Sequence, residues 1–265
     1  MIDAGLDESK SDSKLLVVSA IAGQTSLMKK FSRRWQNALD ADNVAFFHAK
    51  EHWNKRAKSY HGLSTEKRKR LLEKLIGLIH KFGAFGVSIC IDTVEYEQIT
   101  SQRFRSQWGS PYAFAFQLLM IIASFDLVKR DRIHEYVNVL IECGHANTQQ
   151  AYEILSKAVD KTDFWVRLKT CGLGGKVGNP ILQAADLLAY GSCQQHSNPN
   201  EESEMYKKLV YDSPVPFITL PWNKSCIESI TKDINGFIER RKAERRKFRE
   251  TGEIILGSEY HKVQE

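Results

Sequence analysis

An aspartate stands in the middle of an apolar helix. Residues 181–191 read ILQAADLLAYG, with Asp186 set among Leu182, Ala185, Leu187 and Leu188, and with Pro180 suited to the helix's first turn. A charge buried there without a partner is costly, so a fold that packs this helix inward must bring Asp186 a cation or hydrogen-bond donors. Two plainer readings stand beside that one: an acid on the helix surface, or a cap on a neighbouring loop.

The order of elements around this helix narrows the fold. Residues 15–23 (LLVVSAIAG) are apolar and β-branched, and they follow the short segment 1–6 across the polar stretch 7–14. That pattern predicts a hairpin with Asp7 at its mouth. Ser26 is placed to cap a helix through Leu27, Phe31, Trp35 and Leu39. A second helix opens at Ser64, Thr65 and Glu66, turns Leu71, Leu72, Leu75, Ile76 and Ile79 inward, and stops at Gly83. Residues 86–91 alternate as a strand, Pro111 starts an apolar helix, and residues 137–141 form a strand ending at Glu142. Helical spacing over 148–159, strand character over 164–168 and a Gly-rich loop over 171–179 lead to the helix that carries Asp186.

With 25–82 set aside as a helical insertion between the second and third strands, the order is strand, strand, strand, helix, strand, helix, strand, helix. RNase H-like α/β folds use that order: a mixed five-stranded sheet flanked by helices. The expected organisation is an RNase H-like domain over 1–196 and a C-terminal helical extension over 197–265, packed on the same domain. Its basic helix covers 224–249.

Three acids then fall at element ends that such a sheet gathers: Asp7, Glu142 and Asp186. Carboxylate oxygens suit hard divalent cations, and carboxylate-held metals serve phosphodiester hydrolysis, which makes Mg²⁺ or Mn²⁺ the expected cofactor. Asp7 and Glu8 also fit an ordinary turn. The 38 Lys and Arg against 32 Asp and Glu leave a net charge of +6, compatible with a nucleic-acid partner, DNA or RNA. The expected phosphate contacts are Lys67, Arg68 and Arg70, Lys176 in the Gly-rich loop, and Arg241 and Arg245. Solvated helix faces are the competing reading for such runs.

No apolar run approaches the roughly 20 residues that cross a bilayer. The acidic N-terminal residues Asp3, Asp7 and Glu8 argue against a signal peptide, so a cytoplasmic protein without a membrane partner is expected. The five cysteines show no C-x-x-C spacing, which points to neither a disulfide framework nor a cysteine zinc site. His48, Glu51 and His52 do match H-x-x-E-H, the pattern of a zinc metallopeptidase, although residues 44–47 just before them look like a strand.

The pieces LDES (6–9), FHAKE (47–51), the acid-terminated strand at Glu142 and ILQAADLLAYG (181–191) together resemble the bacterial domain-of-unknown-function family 3800. The resemblance spans most of residues 1–195 and implies an RNase H-like fold. It also implies a metal-binding set of Asp7, Glu142 and Asp186, with Glu8, His48 and Gln183 as neighbours and with Glu8 and His48 positioning water or phosphate. Lys10 departs from the family's usual Gly, and Glu142 from its frequent Asp. The functional expectation is a divalent-metal-dependent nuclease or related phosphodiester-processing protein. The alternatives are a catalytically inactive nucleic-acid-binding or protein-interaction module and, third, the zinc metallopeptidase.

Overall fold

The computed structural model describes residues 1–11, 14–54, 57–83, 85–129, 135–157, 167–198, 200, 203–222, 225–226 and 229. It divides the chain into two compact units, Met1–Pro221 and Trp222–Glu265. Arg241, Arg245 and most of the helix expected over 224–249 lie outside the described residues.

Strands β1 (Ile2–Lys10) and β2 (Leu15–Gln24) pair antiparallel, and β3 (Phe85–Asp92) continues antiparallel on β2. On the other side of β1, β4 (Tyr136–Glu142) and then β5 (Arg167–Gly174) run parallel to it. With β6 (Phe217–Trp222) the sheet order is β5-β4-β1-β2-β3-β6. This is the RNase H-like arrangement, with six strands where five were expected. The added strand lies beside β3, where Gly86 N donates to Pro216 O at 3.1 Å. Its Pro221 is tolerated because the strand is at an edge.

Residues 44–47, which look like a strand in sequence, form none, and two other strands differ from expectation. β1 does not end before Asp7 but continues through Asp7↔Ser19, Glu8↔Val18 and Ser9↔Val17 to Lys10↔Leu16. Asp, Glu, Ser and Lys have turn composition, yet pairing along the apolar β2 holds them extended. β5 takes in residues 171–174, which read as loop; Cys171, Gly172, Leu173 and Gly174 pair with Val139, Leu140, Ile141 and Glu142 of β4.

The insertion between β2 and β3 is helical as expected: α1 (Thr25–Asp40), the short α2 (Ala49–Trp53) and α3 (Thr65–Phe82). Ser64 caps α3 by accepting from Lys67 N, and Gly83 ends it. Ser26 does not cap α1, which starts at Thr25, whose Oγ1 donates to Asp3 Oδ1 at 2.9 Å. After β3 come α4 (Thr93–Ile99), α5 (Gln102–Trp108) and α6 (Pro111–Lys129), α7 (Thr148–Ser156) follows β4, and α8 (Pro180–Ser197) follows β5.

Phe31, Trp35 and Leu39 of α1, Leu75 and Ile79 of α3 and Leu187 and Leu188 of α8 share one core. Ile2, Ala4 and Leu6 of β1 face α6 on the opposite side, against Leu119 and Met120. Strand alternation then turns Gly5 and Asp7 toward α8.

Gly5 is where the strand and the helix meet most closely. A Cβ there would lie 2.8 Å from the backbone oxygen of Ile181, which cannot rotate away. Gly5→Ala is therefore expected to cost about 2 kcal/mol, the range of overpacking, read as a lower urea midpoint. An unchanged midpoint would mean that α8 shifts without cost.

Candidate metal centre

Three elements bring four acids to one end of the sheet. Asp7 comes from β1, Glu142 from the end of the neighbouring β4, Asp186 from α8, which packs over β1 and β2, and Glu8 follows Asp7 on the other face of β1. The side chain of Asp7 is wholly buried, and those of Asp186 and Glu142 are nearly so. The three acids expected to act together are together.

Their contacts are to cations and backbone amides. Lys176 Nζ, from the loop between β5 and α8, lies 3.0 Å from Asp7 Oδ2, 3.0 Å from Glu142 Oε1 and 3.3 Å from Asp186 Oδ1. His145 Nε2 lies 3.1 Å from Asp7 Oδ1 and bonds Glu142 Oε2, while its Nδ1 is 3.5 Å from Glu8 Oε1. Glu8 N donates to Asp7 Oδ1 at 2.7 Å, and Ala49 N donates to Asp186 Oδ2 at 2.6 Å.

Electrostatics follow from this packing. Burial pushes the Asp7 carboxyl upward, opposed by the hydrogen bond from His145. Burial also acts on Glu142, but there His145, Asp7 and Lys176 together outweigh it and hold the carboxyl below its ordinary value. Hydrogen bonds to Asp7 and Glu142 raise His145, and burial raises Glu8.

The donor set fits a divalent cation. Asp7, Glu142 and His145 offer ligand atoms within 4.8 Å of one another. Asp7 Oδ2 is buried, and the contact it has is the one with the Lys176 ammonium at 3.0 Å. Buried carboxylates from three elements that face one another across a single ammonium form an oxygen-rich donor set of the kind hard divalent cations take.

Gln183, fully buried, frames the site from behind. Its Oε1 accepts from Trp35 Nε1 at 2.7 Å and from Phe47 N at 2.8 Å, and its Nε2 donates to Lys176 O at 2.7 Å. One amide thus ties α1, the segment entering α2 and the Lys176 loop to α8.

His48 is the residue before Ala49, whose amide reaches Asp186, but its own Nδ1 faces Glu51 Oε1 at 3.3 Å. Lys67 and Arg70 are exposed on α3. Arg68 instead donates to the carbonyls of His52, Asn54 and Tyr60 and lies over the Tyr60 ring, so it holds the loop rather than reaching outward. Lys176, expected to meet phosphate, is 9% exposed and sits among the acids. His145 was not foreseen; its signal is a histidine three residues past the strand-ending Glu142, within reach of the same acid once the chain turns.

The H-x-x-E-H residues do not converge on a metal position among the described residues. His52 is packed against the rings of Phe47, Trp53 and Tyr60. Burial pushes its imidazole from the ordinary 6.5 down to about 4, with Arg68 adding to the effect. The fold prefers the neutral ring, so the unfolded chain binds more protons between those values. Stability from this group is complete above the unfolded value and is lost as pH falls through the folded one, by about 3 kcal/mol. Urea midpoints at pH 7 and pH 4.5 should show the loss, and His52→Phe should flatten it. An equally steep drop in the variant would assign it to other groups.

No family model matches the sequence, and no curated protein matches it. Among solved structures the chain is similar to RNase HII from Archaeoglobus fulgidus, in its complex with PCNA, at 12% identity, covering 78% of this chain and 82% of that one with a TM-score of 0.39. It is also similar to ribonuclease H2 from Pyrococcus horikoshii OT3, at 11% identity, covering 76% and 75% with a TM-score of 0.37. No helix among the described residues is long and apolar enough to cross a membrane.

Proposed function

We propose that this chain is a divalent-metal-dependent nuclease, a member of the domain-of-unknown-function family 3800, acting on phosphodiester bonds of cytoplasmic nucleic acid. The observation that carries the reading is the convergence of Asp7, Glu142 and Asp186 from three elements on one position, now held by the Lys176 ammonium. Asp7, Glu142 and Asp186 would hold Mg²⁺ or Mn²⁺, which when bound supplies Lewis acidity at phosphorus and lowers the pKa of water.

The chain's own groups do the rest. Ala49 N fixes Asp186 and Glu8 N fixes Asp7, so neither carboxylate needs to reorient before use. Lys176 reduces the repulsion that an approaching phosphate would meet from the acids. Lys67 and Arg70 are free to contribute salt-dependent backbone contacts from α3.

The test is cleavage of labelled single-stranded DNA and RNA, their duplexes and an RNA·DNA hybrid in Mg²⁺, in Mn²⁺ and in chelator. Metal-dependent cleavage of at least one substrate is expected. The second reading, a binding module, is favoured by the same Lys176 and His145, because their charges already balance much of the cluster. Salt-dependent binding without metal uptake or cleavage would establish it.

A further inference from the structure

Asp7 and Glu142 each turn their two carboxylate oxygens to different cations. Asp7 Oδ1 and Glu142 Oε2 meet His145 Nε2, whereas Asp7 Oδ2 and Glu142 Oε1 each lie 3.0 Å from Lys176 Nζ. Asp186 Oδ1, at 3.3 Å, completes the Lys176 side. Two bridging carboxylates with two cationic positions form the layout in which paired-metal phosphodiesterases hold both ions. Here one position is taken by an ammonium belonging to the chain.

That ammonium is built in. Lys176 is 9% exposed, its carbonyl is held by Gln183 Nε2 at 2.7 Å and by Asn179 N at 3.1 Å, and Gln183 is itself tied to Trp35 and Phe47. Swinging Nζ out would strip three carboxylates of their counter-charge in a buried place. The opposite position is different in kind, because a nitrogen ligand joins the two oxygens there and the His145 side chain is partly exposed where that of Lys176 is buried.

We propose that Lys176 serves as a permanent second cation, so that the cluster takes a single divalent ion, held by Asp7 Oδ1, Glu142 Oε2 and His145 Nε2 opposite the ammonium. This rests on the metal-dependent reading above and revises its ligand set: Asp186, whose Oδ1 faces Lys176, gives way to His145, whose Nε2 releases its proton when the ion binds. The imidazole ligand favours Mn²⁺ over Mg²⁺, since nitrogen donors suit transition metals. Lys176 supplies the fixed positive charge that a second ion would otherwise bring to a phosphate.

The experiment counts bound Mn²⁺ by electron paramagnetic resonance in the wild type, Lys176→Gln and Lys176→Arg. One ion per chain is expected in the wild type and in Lys176→Arg, and two in Lys176→Gln, with the spectrum of a spin-coupled pair. Lys176→Met, which keeps the bulk of the side chain without its charge, carries the same expectation, so instability of one variant does not decide the result. Two ions in the wild type, or one in both neutral variants, would overturn the inference and leave the metal-dependent reading intact. No ion in the wild type would overturn both.

Discussion

Asp7→Asn is expected to lose metal-dependent phosphodiester cleavage by about a thousandfold or more, the equivalent of roughly 4 kcal/mol of transition-state stabilisation, while unfolding close to the wild-type temperature. The two halves of that expectation have separate causes. Asp7 is the acid through which both cationic positions connect, meeting His145 with one oxygen and Lys176 with the other. An amide in its place loses the charge that a metal requires. Stability is spared because burial already disfavours the Asp7 charge, and because the asparagine oxygen can still accept from Glu8 N. Initial cleavage rates and thermal unfolding of the same preparation check both halves. A variant that is inactive and also unfolded says nothing about metal, whereas one that is folded and fully active contradicts the site.

Gln183→Ala should produce the largest loss of stability in the chain's interior polar network. Removing the amide takes the Gln183 partner from Trp35 Nε1 and Phe47 N and leaves Lys176 O with the bond from Asn179 N, all three lost bonds being buried. At roughly 1–3 kcal/mol for each buried unsatisfied group, plus the cavity, the expected cost is about 4 kcal/mol or more. In a unit of this size that corresponds to a fall of roughly 10 °C in Tm. Gln183→Leu refills most of the volume but restores none of the bonds, so it should be nearly as damaging. If leucine rescued the stability, packing rather than hydrogen bonding would be the role of Gln183. The damage should also extend to the site, since the Lys176 loop and the segment leading to Ala49 both hang on this amide.

Much of this was legible in the residues themselves. The β-branched run of β2, the acid-terminated β4 and the inward stripe of α3 are patterns that burial on one face imposes, and they appear as expected; the α1 stripe does so at Phe31, Trp35 and Leu39, with Met28 buried in place of Leu27. Asp186 announced its need for a partner by its apolar neighbours, and it has two, Lys176 and Ala49 N. The misread places were those where composition and conformation part company. Residues 7–10 are polar but extended, because β2 pairs with them along their whole length. Gly172 and Gly174 look like loop but lie in β5, where Leu140 of β4 would meet a side chain at either position at 3.7 and 3.2 Å.

His145 and Lys176 show a different limit. The spacing of His145 from Glu142 links it to one acid, and a lysine in a Gly-rich loop is linked to none. Their roles exist only once β1, β4 and α8 are assembled, because each bonds acids contributed by separate elements. H-x-x-E-H failed for the converse reason. The spacing is right for a metal, but Phe47, Trp53 and Tyr60 claim the His52 ring for the core.

The measurement that bears most directly on the account is a calorimetric titration of Mn²⁺ into the wild type and into Asp7→Asn, each shown to be folded. The account predicts saturable binding by the wild type that is lost in the variant. Equal binding by both proteins, or no binding by the wild type with or without nucleic acid present, would contradict it and leave a buried ion-pair network in place of a metal centre.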